Sequence, residues 1–330
     1  MKKTNKLFLT VCMVSACAFI FGSCKKNDTE KSVIVNLPQF EEEVDGRAYV
    51  DFATNKFKWN ANDQVAIYNL NFSEASQSKK AIYATNAKAE GKTSATFTFQ
   101  SGDELGAKMD GYFVFYPVAK LGNGFNANND NREYFTVSNT QTYTVINNAA
   151  TVDPEAIAMA CTLNSLDGNF TLKHIFGNLR LKMKGTGNVT KVVVEDTHFN
   201  LAGTVSMKID QVDMNTFSSL QDLYIASDDP YNAAFGPAWA EYANTLGFTA
   251  EGTDHQVTMN CPNGVQLNET TETHFFIGLR PGALKYGFKV YVYVDGATLP
   301  SYTFDYTGAN NLHYGIKAGV NKGLSLEGIN

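Results

Sequence analysis

The sequence has few cysteines and no clusters of basic residues, and each absence excludes a class of protein. Five cysteines in 330 residues do not make a disulfide framework, and they do not show the spacing of metal ligands. The net charge is −6. An acidic chain without clustered lysine or arginine lacks the groups that neutralise phosphates in nucleic-acid binding. We therefore expect no nucleic-acid partner.

Motifs of enzymes and of metal sites are also absent. The five histidines show no HExxH spacing, and no GxSxG, P-loop or dinucleotide fingerprint occurs. Acidic residues are scattered rather than paired as glycosidase carboxylates are. The polar loop 121–133 carries Asn126, Asn128, Asp130 and Glu133, but its spacing matches no calcium-binding loop. We predict that the protein is not an enzyme and has no metal and no cofactor.

One long apolar run is present, and it lies near the N-terminus. The chain begins MKKTNK and continues LFLTVCMVSACAFIFG, a pattern typical of a signal peptide and short for a membrane-spanning helix. Gly22, Ser23 and Cys24 resemble a bacterial lipobox, although Phe21 replaces the usual leucine. We expect residues 1–23 to be a lipoprotein signal peptide and Cys24 to carry the lipid. An ordinary secretory signal that is cleaved elsewhere is the alternative.

Removal of the signal peptide takes the net charge to −9 and leaves Cys161 and Cys261 besides Cys24. We interpret these two cysteines as separate buried thiols, with a disulfide between them as the alternative. Residues 24–31 are polar and charged, which favours a flexible tether. No second long apolar run follows, so we expect a soluble protein held at the membrane by its lipid. About 300 residues are enough for about two domains.

Alternation of apolar and polar residues is the main structural signal in the rest of the chain. Short alternating runs separated by Gly-, Asn- and Asp-rich turns favour antiparallel β-sandwiches over βαβ units. The clearest are SATFTFQ (94–100), NLRLKMKGTGNVTKVVVED (178–196, interpreted as a hairpin), FKVYVYVDG (288–296) and SYTFDY (301–306).

One helix is predicted over GPAWAEYANTLG (236–247), which starts with a proline and stops at a glycine. A domain boundary fits best near NSLDGNF (164–170). The predicted fold is all-β, with an N-terminal sandwich at 32–167 and a C-terminal sandwich at 168–330 that contains the helix. His174 and His274 each open a predicted strand, and we interpret each as a packed or strand-end residue.

Four stretches, in their order along the chain, resemble the Bacteroidales fimbrillin-like proteins, the lipoprotein family that includes type V pilins. They are GRAYVDFATNKFKWNANDQVAIYN (46–69), GYFVFYPV (111–118), FTLKHIFGNLRLKMKG (170–185) and YGIKAGVNKGLSLEGIN (314–330). This resemblance implies two tandem transthyretin-like β-sandwich domains. It also implies a fimbrial subunit with a structural or adhesive role in the outer membrane, lipid-anchored and exposed at the cell surface.

In that family an arginine-specific protease removes the first strand, and a strand from another subunit fills the groove. The resemblance implies Arg47–Ala48 as the processing junction here. The displaced strand would be SVIVNL (32–37), in which Val33, Val35 and Leu37 alternate. Alternatively, this strand is permanent and Arg47 is an ordinary charge at a strand edge.

The strand GLSLEGI (323–329) is expected to belong to the second domain of its own subunit. No donor strand would then be spare, which suits a tip or anchor subunit, or a stand-alone protein if cleavage fails. The partners would be other fimbrial subunits and a host or microbial surface ligand of unknown identity. A non-polymerising, glycan-binding surface lipoprotein is the alternative, and an exposed platform of aromatic rings would favour it.

Overall fold

The structure is a computed structural model in which part of the chain is described. The described residues are 32–38, 41–42, 58–122, 125, 130–146, 149–197, 200–210, 214, 255–280, 283–284, 287–307, 316 and 320–329. Within them the chain forms β-strands and short 3-10 turns and no α-helix, so the predicted all-β class is confirmed. None of their helical segments is long and apolar enough to cross a membrane. The predicted helix at 236–247 and the residues Cys24, Arg47 and Ala48 lie outside this part.

The strands of the described part are numbered in chain order. They are β1 (Ser32–Asn36), β2 (Glu41–Glu42), β3 (Gln64–Leu70), β4 (Lys79–Ala84), β5 (Ser94–Gly102), β6 (Gly111–Tyr116), β7 (Arg132–Val137), β8 (Thr140–Thr142), β9 (Thr144–Ile146), β10 (Ala149–Thr151), β11 (Met159–Leu163), β12 (Asn169–Thr171), β13 (Lys173–His174), β14 (Gly177–Gly185), β15 (Asn188–Asp196), β16 (Gly203–Lys208), β17 (Gln256–Gln266), β18 (Thr273–Leu279), β19 (Phe288–Val294), β20 (Tyr302–Asp305) and β21 (Val320–Ile329). The 3-10 turns are Ala75–Gln77, Ala87–Ala89, Val118–Lys120 and Pro154–Ala156.

The largest sheet has eight strands in the order β12-β1-β5-β4-β3-β6-β11-β13. Strands from both ends of this order contribute to one apolar cluster, which contains Val35 of β1, Phe170 of β12 and Met159 of β11. The sheet therefore curves around this cluster, which we call the first core. Strand β3 reads QVAIYNL and is buried from Val65 to Leu70 because both of its faces are covered.

A two-stranded antiparallel ribbon, β7–β16, covers the other face of that sheet. Phe135 and Met207 of the ribbon pack with Tyr68 and Phe113 of the sheet in a second apolar cluster. The two faces of β3 thus contact different cores, which explains why its apolar residues do not alternate with polar ones.

Two further sheets form a β-sandwich. Their strand orders are β18-β14-β21-β2 and β20-β19-β15-β17-β8. Leu179 and Leu181 of β14 face Val290 and Val292 of β19 in one shared core, and all four are 0 % exposed. These are the faces that the alternation predicts.

The hairpin predicted over 178–196 is wrong, because β14 and β15 belong to different sheets of the sandwich. Strand β21 pairs with β14 along the edge that the hairpin would use. Gly185 adopts φ 153°, and a Cβ there would lie 1.7 Å from the carbonyl oxygen of Ile329. Only glycine allows this close approach, after which the turn leads the chain into the opposite sheet.

Five strand pairs of the described part join the predicted segments 32–167 and 168–330. They are β1–β12, β11–β13, β7–β16, β8–β17 and β2–β21. Four pairings in the described part are parallel, namely β1–β12, β14–β21, β8–β17 and β2–β21. Each joins strands that are distant in sequence, as parallel neighbours require. The division into domains at 32–167 and 168–330 stays a prediction.

Candidate functional site

Strand β1 lies between β5 and β12 in the eight-stranded sheet. It pairs antiparallel with β5, from Ser32 opposite Thr98 to Asn36 opposite Ser94, and parallel with β12. Backbone groups on both edges of β1 are therefore used in the sheet. We call the space between β5 and β12, together with the core surface beneath it, the β1 slot.

The side chains of β1 alternate between the first core and the surface. Val33, Val35 and the following Leu37 are 2 %, 0 % and 7 % exposed, whereas Ile34 is 37 % exposed. The three buried side chains are those that the alternation places on one face. The β1 slot therefore accepts an apolar residue at every second position of the strand.

Trp59 forms the floor of the β1 slot. Its Nε1 donates a hydrogen bond to the carbonyl oxygen of Val35 at 3.1 Å. Its ring makes edge contacts with Phe97 and Tyr116, with centroids at 4.8 and 5.1 Å. Because the bond is to backbone, Trp59 holds a strand in the slot whatever side chain that strand carries at this position.

The C-terminal end of β1 is fixed by three further hydrogen bonds. Leu37 N donates to Thr93 O at 2.9 Å, and Leu172 N donates to Asn36 O at 3.1 Å. The side-chain amide of Asn36 donates to Phe170 O at 3.2 Å. Asn36 thus ties β1 to β12 through both its backbone and its side chain.

The segment that follows β1 enters a different sheet. In β2, Glu41 and Glu42 pair in parallel with Val320 and Asn321 of β21. β1 is therefore an inner strand of one sheet, and β2 is the outer strand of another. Their loss would expose strand edges in both sheets.

Strand β21 is an interior strand of its own sheet. It pairs with β14 on one side and with β2 on the other. Leu324, Leu326 and Ile329 are buried in the sandwich core. This agrees with the expectation that GLSLEGI belongs to the second half of the same subunit.

The two described cysteines are separate buried thiols, as interpreted from the sequence. Burial raises the pKa of Cys161 far above its usual value and that of Cys261 to about 12. Both thiols are therefore protonated at neutral pH and unreactive. His174 is buried and His274 is half-buried, so both are packed as expected.

The aromatic side chains give no evidence of a sugar-stacking platform within the described part of the chain. No tryptophan or tyrosine is exposed there, and the exposed aromatic side chains are Phe72 and Phe99. An open polar cleft of about 560 Å³ lies beside β8, β15 and β17, where Glu195, His255 and Gln256 contribute to its lining. The described residues of its lining include no tryptophan, tyrosine or phenylalanine.

The sequence located the apolar face of β1 but not its surroundings. It did not indicate the Trp59–Val35 bond, the role of Asn36 or the neighbouring strand β12, which begins at Asn169. No local signal marks these partners, because a strand's own alternation does not depend on which strands flank it. The predicted processing residues Arg47 and Ala48 and the lipid-bearing Cys24 lie outside the residues on which this geometry rests.

No model of a known protein family matches the chain, and no curated protein matches it in sequence. Solved structures that it is similar to include a "putative cell adhesion protein" from Bacteroides ovatus. That protein is 11 % identical, the match covers 90 % of this chain and 93 % of the other, and the TM-score is 0.45. A second "putative cell adhesion protein", from Bacteroides fragilis, is 10 % identical over 89 % and 92 % of the two chains, with a TM-score of 0.36.

A fimbrial protein from Bacteroides ovatus is 8 % identical, with a TM-score of 0.31. The match covers 91 % of this chain and 49 % of the fimbrial protein. By name these are cell adhesion and fimbrial proteins of Bacteroides, which is consistent with the fimbrillin-like resemblance of the sequence motifs. Likenesses at this identity and TM-score carry no argument about what this chain binds.

Proposed function

We propose that the protein is a fimbrillin-like, adhesive cell-surface lipoprotein that joins other fimbrial subunits by strand addition. Cys24 carries the lipid that attaches the uncleaved form to the outer membrane. Cleavage between Arg47 and Ala48 removes the lipid together with β1 and β2, and a strand of another subunit enters the β1 slot. The observation that carries this proposal is the position of β1, which fills an apolar slot and is paired along both edges.

Strand addition follows from the physical state of the slot after cleavage. Loss of β1 leaves unpaired N–H and C=O groups on β5 and β12 beside exposed apolar surface. Each buried Val or Leu side chain contributes about 1.5–3 kcal/mol. An incoming alternating strand restores the hydrogen bonds and the buried area together. Trp59 Nε1 and Leu172 N donate to backbone carbonyl oxygens of β1, so they can hold a donor strand whatever its side chains are.

Strand β21 supports a position at one end of a fibre. After the loss of β2 it stays paired with β14, and it contributes three side chains to the sandwich core. Donating this strand would open that core. The subunit therefore accepts a strand but does not donate β21, which suits a tip or an anchor. A surface ligand of the host or of another microbe is the partner expected at a tip.

The N-terminus of the protein isolated from its own cells tests the proposal. The expected mature form begins at Ala48. The Arg47→Lys variant keeps the positive charge but removes the arginine that an arginine-specific protease requires. We therefore expect this variant to stay uncleaved, with a lipidated Cys24 at its N-terminus. Lys58→Ala, an exchange at an exposed lysine, is the matched control and leaves processing unchanged.

Retention of residues 32–37 in all of the mature wild-type protein would contradict activation by cleavage. Two hypotheses would then remain to be tested: a permanent anchor subunit and the non-polymerising, glycan-binding lipoprotein. Intact mass and N-terminal peptide sequencing distinguish these forms directly.

A further inference from the structure

Three side-chain oxygens at one end of the β7–β16 ribbon are buried and accept no hydrogen bond. They are Oδ1 of Asp130, Oδ1 of Asn131 and Oδ1 of Asp210. Asn131 is 0 % exposed. Buried oxygens of this kind are costly unless a donor or a cation satisfies them. Asn131 and Asp210 are joined by a hydrogen bond, and Asp130 directly precedes Asn131 in the chain. Three unsatisfied oxygens on these residues indicate a ligand.

Asn131 and Asp210 are in direct contact. The side-chain Nδ2 of Asn131 donates to Oδ2 of Asp210 at 3.1 Å and to Asn71 O at 2.8 Å. Both partners are acceptors, so the amide orientation is determined and the unsatisfied atom is the oxygen. Ile209 N also donates to Asn131 O at 3.1 Å. The start of β7 and the end of β16 are thus held side by side.

The surrounding charges leave Asp210 without a cation among the described residues. Asp130 Oδ2 accepts from Arg132 Nε at 3.0 Å. The nearby carboxylate of Glu133 is neutralised by Lys80 at 2.7 Å and also accepts from the Tyr68 hydroxyl at 2.6 Å. Asp210 has only the neutral amide of Asn131. Lys208 lies opposite Arg132, two residues before Asp210, but no ion pair joins it to Asp210 among the described residues.

We propose that Asp130, Asn131 and Asp210 bind a calcium ion through their Oδ1 atoms, with water completing the coordination. The ligands are all oxygens, which hard cations prefer, and Ca²⁺ accepts irregular sets of six to eight. Mg²⁺ requires a near-ideal octahedron and binds more weakly to such a set. In the described residues no three His, Cys, Asp or Glu side chains form a metal-binding group. The amide oxygen of Asn131 is thus an essential third ligand.

The site joins two distant parts of the chain. Asp130 and Asn131 precede β7, whereas Asp210 follows β16 about 80 residues later. This separation explains why the spacing within loop 121–133 matched no calcium-binding loop. With three protein ligands, the expected dissociation constant is about 10⁻⁴–10⁻³ M, the range of extracellular calcium modules. Bound calcium would hold the start of β7 against the end of β16, in the ribbon that packs on the second apolar cluster.

Thermal unfolding and calorimetric titration with CaCl₂ test the site on the whole protein after treatment with EGTA. At about ten times the dissociation constant, calcium is expected to raise Tm by about 2–4 °C. The same concentration of MgCl₂ is expected to give a smaller shift. Absence of both a Tm shift and a titration signal up to 10 mM calcium, about ten times the weakest constant expected, would overturn the proposal.

Two variants locate the ion. Asp210→Asn and Asp130→Asn each remove one charged ligand and are expected to weaken calcium binding at least about tenfold. In EGTA no bound ion is lost, so Asp210→Asn should keep a Tm close to that of the wild type. Asp130→Asn also loses its ion pair with Arg132, so its Tm in EGTA is expected to fall slightly. The readout is therefore the calcium shift of each variant relative to its own Tm in EGTA. Glu269→Gln removes an exposed carboxylate elsewhere and should keep the full calcium shift. A full shift in both aspartate variants would place calcium elsewhere and contradict the assignment. If one variant fails to fold, the other still decides.

Discussion

At the scale of single residues, the most informative side chain for solution behaviour is His174. It lies in β13 opposite Met159 of β11, and burial lowers its pKa to about 3. The pKa of an unfolded histidine is about 6.5. Between these values the unfolded state binds a proton that the folded state does not. The free energy of unfolding therefore falls as the pH drops below about 6.5.

We predict that His174→Gln reduces the acid sensitivity of the protein. One pKa unit corresponds to about 1.36 kcal/mol, so at pH 5 the wild type should lose about 2 kcal/mol through this histidine. The variant should lack that contribution, although its stability at pH 7.5 falls because a packed side chain is changed. Urea denaturation at pH 7.5, 6 and 5 measures the slope. The matched control is His255→Gln at an exposed histidine, and equal slopes for the wild type and His174→Gln would refute the prediction.

At the scale of secondary-structure elements, β1 offers two adjacent positions with opposite environments. Val35 is 0 % exposed and Ile34 is 37 % exposed. We predict that Val35→Asp costs about 4 kcal/mol or more, because it buries a carboxylate without a partner in the first core. Ile34→Asp should cost about 1 kcal/mol or less.

Amide hydrogen exchange of residues 32–37 distinguishes release of β1 from general unfolding. In Val35→Asp these amides should exchange much faster, while those of β14 and β19 in the sandwich stay protected. Equal protection of β1 in the two variants would show that the strand is not held by its apolar face.

The sequence predicts strands far better than it predicts their neighbours. Alternation correctly places the apolar faces of β1, β14 and β19, because a half-buried strand must alternate. It says nothing about β2, β8 and β12, which have only two or three residues and gain their structure from the strands beside them. The mistaken hairpin at 178–196 has the same origin, since the turn signal is local and the competitor, β21, starts at Val320.

The candidate site shows the same limit. The apolar positions of the β1 slot follow from alternation, whereas the Trp59 contact depends on how the sheet curves. The proposed calcium ligands are separated in sequence, so only the β7–β16 pairing brings them together.

At the scale of the whole molecule, strand pairs β7–β16, β8–β17 and β2–β21 connect the two predicted halves. We predict that residues 32–330 unfold in a single urea transition with coincident curves from far-ultraviolet circular dichroism and tryptophan fluorescence. Two autonomous sandwiches would instead give separate transitions. A chain with Gly203–Lys208 replaced by a glycine-serine linker should lose this coincidence, whereas replacing the exposed turn 295–300 in the same way should not.

The pairing of β14 with β21 also has a kinetic consequence. Residues 178 and 321 are direct neighbours, so the four-stranded sheet cannot close until nearly the whole described chain has been synthesised. Contacts of such long range slow folding, typically to milliseconds or seconds for all-β proteins. A chain that cannot complete its sheets early stays unfolded for longer, and this is the state in which a polypeptide can be threaded through a narrow translocation channel.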